Sequence, residues 1–144
     1  MALPPQKFRE IVFQLLYSKD FIESAPEAIP FIMETLKVAR HYVVDADLKV
    51  QGIMAHLVEI DDRIQKSSTE YSFDRISKVE LTILRLGIYE LMYETGIPPK
   101  VALAEAIRLC RKFGTPESAH FVNAILDEIY THYASNPTNQ PQPV

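Results

Sequence analysis

Cysteine, glycine and long apolar runs are all scarce in this 144-residue chain, and each scarcity closes off a class of function. The single cysteine, Cys110, has no internal disulfide partner, and its setting in "AIRLCRKF" reads as a buried thiol of a reducing compartment. No apolar run approaches the roughly 20 residues that span a bilayer, and no basic segment leads into an apolar one at the start, so a soluble cytoplasmic protein is expected. The four glycines are scattered, which leaves no phosphate-cradling loop. His41, His56, His120 and His132 lack metal-ligand spacing. Asp61 and Asp62 are adjacent, so on a helix they diverge by about 100° and read as solvated carboxylates rather than a catalytic pair. No catalytic residues, cofactor or metal are expected, and the chain reads as a non-enzyme. Positive charge is not in excess either. The formal net charge is −4 and the pI about 5.5, so no global field attracts a polyanion and any nucleic-acid contact must come from a local patch.

What is present is apolar content of 47%, arranged at a period of 3.6 residues and not of two. One all-helical domain is expected over residues 1–134, with a disordered tail at 135–144 where "SNPTNQPQPV" offers little to pack. Phe8, Ile11, Val12, Leu15 and Leu16 stripe a first helix begun by Pro4 and Pro5. "APEAIPFIMETLKVA" is helical, with its division around Pro30 left open. "DADLKVQGIMAHLVEIDDRIQKSS" reads as one helix, capped by Asp45 or Asp47, with Leu48, Ile53, Met54, Leu57, Ile60 and Ile64 on its apolar face. Ser77 and Glu80 have capping-box spacing before "LTILRLGIYELMYET", a helix apolar nearly all round whose Gly87 implies a close neighbour. Gly96, Pro98 and Pro99 end it. "PKVALAEAIRLCRKF" follows and stops at Gly114, and Thr115 caps a last helix with Pro116 in first position and Val122, Ile125, Leu126 and Ile129 as its buried stripe.

The corner between these last two helices, "RKFGTPESAHFVN", carries more chemistry than a turn requires. Arg108, Arg111 and Lys112 share one helical face, and the stretch from Lys100 to Lys112 holds four cations and one acid, a local charge of +3. His120, Phe121 and Asn123 follow at once. Exposed rings and planar amides suit single-stranded RNA, whose splayed bases stack and hydrogen-bond through their edges. The same spacing has a plainer reading, with Phe121 filling the core and the cations forming a solvated face.

The runs "ILRLGIYEL", "PPKVALAEAIRLCRKFG" and "SAHFVNAILD", with "FREIVFQLLYS" near the start and "LVEIDDRIQK" between, closely resemble the NusB family of bacterial transcription antitermination factors. The resemblance spans about residues 6 to 131, in order. It implies about seven helices in two small sub-bundles. It also implies pairing with NusE, a small-subunit ribosomal protein, joint binding of boxA RNA, and entry into the antitermination complex on RNA polymerase that transcribes ribosomal-RNA operons to completion. NusB-like domains also occur fused to ribosomal-RNA methyltransferases, but the free-standing factor is the better match. Carried over residue by residue, the RNA surface would be Lys7, Arg9, Gln14 and Tyr17 on the first helix with Glu117, Ser118, His120, Phe121 and Asn123 at the corner. The cations Arg111 and Lys112 behind it would track phosphate. The NusE-facing surface would be Asp74, Lys78 and Glu80. Two departures stand out. "MALPPQKFRE" has only Lys7 and Arg9 where many members carry an arginine cluster, and Ala104 in "ALAEA" replaces a usual asparagine. Each missing phosphate contact removes about one counterion-release increment, so RNA binding is expected to lean on NusE. The alternative is a protein-binding module, self-associating as a homodimer, with weakened RNA affinity.

Overall fold

The computed structural model describes residues 3–20 and 25–135, and their regular structure is helical. The elements are α1 (Pro5–Ser18), α2 (Ala25–Leu36), α3 (Arg40–Ala55), α4 (Leu57–Ser67), a 3-10 turn (Phe73–Arg75), α5 (Lys78–Tyr93), α6 (Pro99–Phe113) and α7 (Pro116–Ser135). This is the expected all-α class. The helices group into two compact units, Met1–Ala55 and His56–Val144. Of the tail expected at 135–144, Ser135 belongs to α7 and residues 136–144 lie outside the described residues.

In the first unit α1 packs on α2 and α3, and α2 on α3. Pro5 opens α1 where the first-turn amides lack acceptors in any case, and Ile11, Val12, Leu15 and Leu16 are buried as their spacing requires. α2 runs unbroken through Pro30, which answers the open division at the cost of one backbone hydrogen bond. It closes at Lys37, whose φ of 54° is left-handed, while the Val38 amide donates to the Met33 carbonyl at 3.2 Å. Glycine usually fills that place. α3 departs from expectation twice. It begins at Arg40, so Asp45 and Asp47 lie inside it and cap nothing, and it stops at Ala55, where His56 (φ −109°, ψ 15°) interrupts what the sequence presents as one helix. Its buried stripe is Val43, Ala46, Val50 and Ile53, whereas Leu48 and Met54 are exposed.

In the second unit α5 packs against α4, α6 and α7, and α6 against α7. Asp61 corrects the sequence reading. It is not a solvated carboxylate but receives two hydrogen bonds from the Arg85 guanidinium, each 2.9 Å, in a largely buried bridge from α4 to α5. Asp62 is exposed and pairs with Lys66 at 2.8 Å. At the start of α4 the His56 ring stacks on Tyr93 at 4.0 Å, and the Tyr93 hydroxyl donates to Glu59 at 2.6 Å. Burial first, and that bond second, push the Tyr93 phenol up to about 12.

The capping box forms in full. The Glu80 amide donates to Ser77 Oγ at 3.1 Å, and the Ser77 amide donates back to Glu80 Oε1 at 3.2 Å. Gly87 marks the close approach its position implied, since a Cβ there would stand 3.0 Å from a Leu126 methyl on α7 and 3.7 Å from Ala106 on α6. α5 itself stops at Tyr93, before Gly96, and Pro98 and Pro99 start α6.

Candidate nucleic-acid and partner interface

The corner between α6 and α7 is built from local rules. The Gly114 amide donates to the Cys110 carbonyl at 2.8 Å and closes α6. A Cβ on Gly114 would lie 3.0 Å from that same carbonyl and 3.1 Å from Ser118 Cβ, so glycine is needed for room. Thr115 caps α7, its hydroxyl accepting from the Ser118 amide at 3.2 Å, and Pro116 and Glu117 occupy the first turn. Beneath the turn Cys110 is fully buried, with Sγ 3.8 Å from the Ser118 carbonyl. Burial pushes this thiol up to about 12, which removes it as a nucleophile.

Two grooves flank α7 in this unit, and His120 lines both. One, of about 530 Å³, runs along the end of α6 and is lined by Arg111, Gly114, Thr115, His120 and Asn123 among others, with no carboxylate. The other, of about 340 Å³, carries Glu70, Glu80, Glu117 and Glu128 around Tyr71 and Phe121. The two sides of the helix therefore differ in sign.

Set against this geometry, the expected RNA residues separate. Arg111, Lys112, Glu117, His120 and Asn123 are exposed at the corner. Ser118 is buried and shares its hydroxyl with Thr115 at 3.1 Å, so it serves the turn. Phe121 is a correction. Only 7% of it is exposed, and the Tyr71 ring meets it edge-on at 5.2 Å, so no free face remains for a base. Its place four residues before Ile125 puts it on the buried arc. Arg108, counted among the surface cations, lies against Glu105 at 2.9 Å, which cancels its charge locally. Lys112 reaches over the Phe113 ring at 5.8 Å.

On α1 in the first unit, Lys7, Gln14 and Tyr17 are half-buried on one side of the helix, and Tyr17 stacks on Phe13 at 5.8 Å. Arg9 is a second correction. It is 8% exposed and already engaged within the protein, so it offers no surface charge to a phosphate. Of the partner residues, Asp74 in the 3-10 turn and Lys78 at the head of α5 are exposed. Glu80 is half-buried, with its carboxylate held by the capping box. Ala104, in place of the family's asparagine, is exposed on α6. Tyr71 was not foreseen. It is 47% exposed in a polar loop where the Ser68 hydroxyl donates to its carbonyl at 2.6 Å, and an aromatic within "SSTEYSF" was the available signal.

The class these features define is an all-helical protein of two small bundles with a cationic groove at a helix corner. The NusB family model matches residues 6–131, and the chain belongs to the NusB family. Among relatives called transcription antitermination protein NusB, that of Geobacter sp. (strain M21) is 41% identical over 130 residues, covering 84% of this chain and 90% of the relative. That of Fervidobacterium nodosum is 40% identical over 128 residues, covering 88% and 89%. Of solved structures, NusB of T. maritima superposes with a TM-score of 0.79 at 33% identity, covering 91% of this chain and 93% of that one. A crystal structure of antitermination factors NusB and NusE in complex with double-stranded RNA matches with a TM-score of 0.76 at 28% identity, covering 89% and 96%.

Proposed function

We propose that this chain is a transcription antitermination factor that binds boxA RNA jointly with NusE and, within the RNA polymerase antitermination complex, promotes complete transcription of ribosomal-RNA operons. The observation that carries this reading is the match, over nearly the whole chain, to a NusB solved with NusE and RNA. The cationic groove at the corner supports the RNA side. The exposed Asp74 and the carboxylate-lined groove that includes Glu80 support a basic ribosomal polypeptide as partner, because opposite fields speed encounter and fix register. The role is noncovalent and cytoplasmic.

Titration of boxA RNA with the protein alone and with NusE, at two salt concentrations, tests it. NusE tightens binding at both, and an unchanged affinity rejects the reading. A second reading has its own observation. With Arg9 buried, α1 carries little surface charge for RNA, while Phe31 and Leu48 are exposed in the same unit, which favours a self-associating module. Light scattering would then show a dimer that fails to bind RNA even with NusE.

A further inference from the structure

We infer that the one-residue interruption between α3 and α4 is a conformational joint. A latch of His56, Glu59 and Tyr93 holds it broken, and its release lets the two segments close into one continuous helix. Nothing in the local sequence asks for a break. The stretch "IMAHLVEIDD" has no proline or glycine, Met54, Ala55 and Leu57 are among the better helix formers, and Ile53, Ile60 and Ile64 keep their spacing across it. Nor does the break serve the backbone. The first helical bond of α4 runs from the Ile60 amide to the His56 carbonyl at 3.0 Å, and His56 gives the amides ahead of it no side-chain cap. A continuous helix would offer those amides the carbonyls of α3.

What opposes continuity is a cluster of side chains at the end of α5. The His56 ring lies on Tyr93, with centroids 4.0 Å and planes 19° apart, and Tyr89 stands 5.6 Å from Tyr93. Glu59 accepts the Tyr93 hydroxyl at 2.6 Å and lies 3.6 Å from His56 Nδ1. The first turn of α4 is therefore pinned at both ends to one tyrosine. The backbone of His56, at φ −109° and ψ 15°, is one residue's rotation from helix. The side chains of His56 and Glu59 are 40% and 67% exposed, so the latch can let go without unpacking the core. The chain passes from the first unit to the second once, at this joint. Lys7, Gln14 and Tyr17 precede it and Arg111, His120 and Asn123 follow it, so its state bears on any RNA strand that needs both sets. That consequence rests on the function proposed above, whereas the joint itself does not.

Amide hydrogen exchange on the full chain tests the joint in wild type, Tyr93→Ala and Tyr93→Phe. Tyr93→Ala frees the latch without altering the sequence of the joint. Expected is exchange slower by about tenfold or more at Leu57, Val58 and Glu59, with a smaller slowing in Tyr93→Phe, which keeps the ring. The buried amides of Leu84 and Leu126 should keep wild-type rates. His56→Ala should give the same result where Tyr93→Ala folds poorly. Unchanged exchange at the joint over an intact core overturns the inference. So does lost protection at Leu84 and Leu126 in every variant, which would make the cluster ordinary packing. Affinity of the same variants for boxA RNA with NusE present tests the consequence, and a fall of about threefold or more is expected where the joint closes. Unchanged affinity overturns control of binding, and a wild type that binds no RNA removes the proposed function alone.

Discussion

Cys110 and Lys37 show how single positions reveal physical constraint. Unfolding exposes a thiol that ionises from about pH 9.0, whereas the folded thiol, kept from water first and facing the charge of Glu80 second, holds its proton to about 12. Between those values unfolding releases a proton. Stability is therefore whole below pH 9 and declines as pH rises toward 12. Tyr93 acts in the same sense between 10 and 12. Denaturant midpoints across this range should fall more steeply in wild type than in Cys110→Ala, and a thiol reagent at pH 8 should label wild type only once it unfolds. Lys37 is the opposite case, a left-handed residue with a side chain. Relief of that conformation is worth roughly 1–2 kcal/mol and is partly offset by the entropy of glycine in the unfolded chain. Lys37→Gly should raise stability by about 0.5–1 kcal/mol, read as a higher melting temperature. Phe121 bears out the plainer of the two readings that its spacing allowed, a ring filling the core, against the RNA role carried over from the resemblance. Taken as an isolated aromatic beside an amide it looks like a base platform, but it sits beside Val122 and one turn before Ile125, which is a core position.

Several helix boundaries set by a local rule were legible, though the cap expected at Asp45 or Asp47 did not form and α5 stops short of Gly96. Ser77 and Glu80, Thr115 and Pro116, and Gly114 each act through neighbours within four residues, and the structure forms each as read. The break at His56 was not legible, because Ile53, Ile60 and Ile64 keep one continuous apolar stripe across it. Nor was the Arg85–Asp61 bridge, whose partners lie 24 residues apart and meet only once α4 and α5 pack. Asp61→Ala leaves a largely buried guanidinium without its carboxylate and should cost about 1–3 kcal/mol in denaturant unfolding. At the α5–α7 crossing, Gly87→Ala gains about 1 kcal/mol of helix propensity but drives a methyl into fully buried Leu126. A net loss of about 1 kcal/mol is expected, with Gly87→Val worse. A stabilised alanine variant would mean that Leu126 yields freely.

For the whole molecule, a net charge of −4 means that RNA is not drawn in from a distance. On the proposed reading the attraction would be local, from Lys7 on α1 and from Arg111 and Lys112 at the corner, since Arg9 is buried and Arg108 is paired with Glu105. Three phosphate contacts predict a plot of log affinity against log salt with a slope of about −2 for the protein alone on single-stranded RNA. A slope steeper than about −5 would require cations beyond these three. Finally, the corner is held shut by the lack of one methyl group at Gly114. Any side chain there would press on the Cys110 carbonyl and on Ser118, so substitutions that keep this turn can alter the groups projecting from the groove more freely than its width.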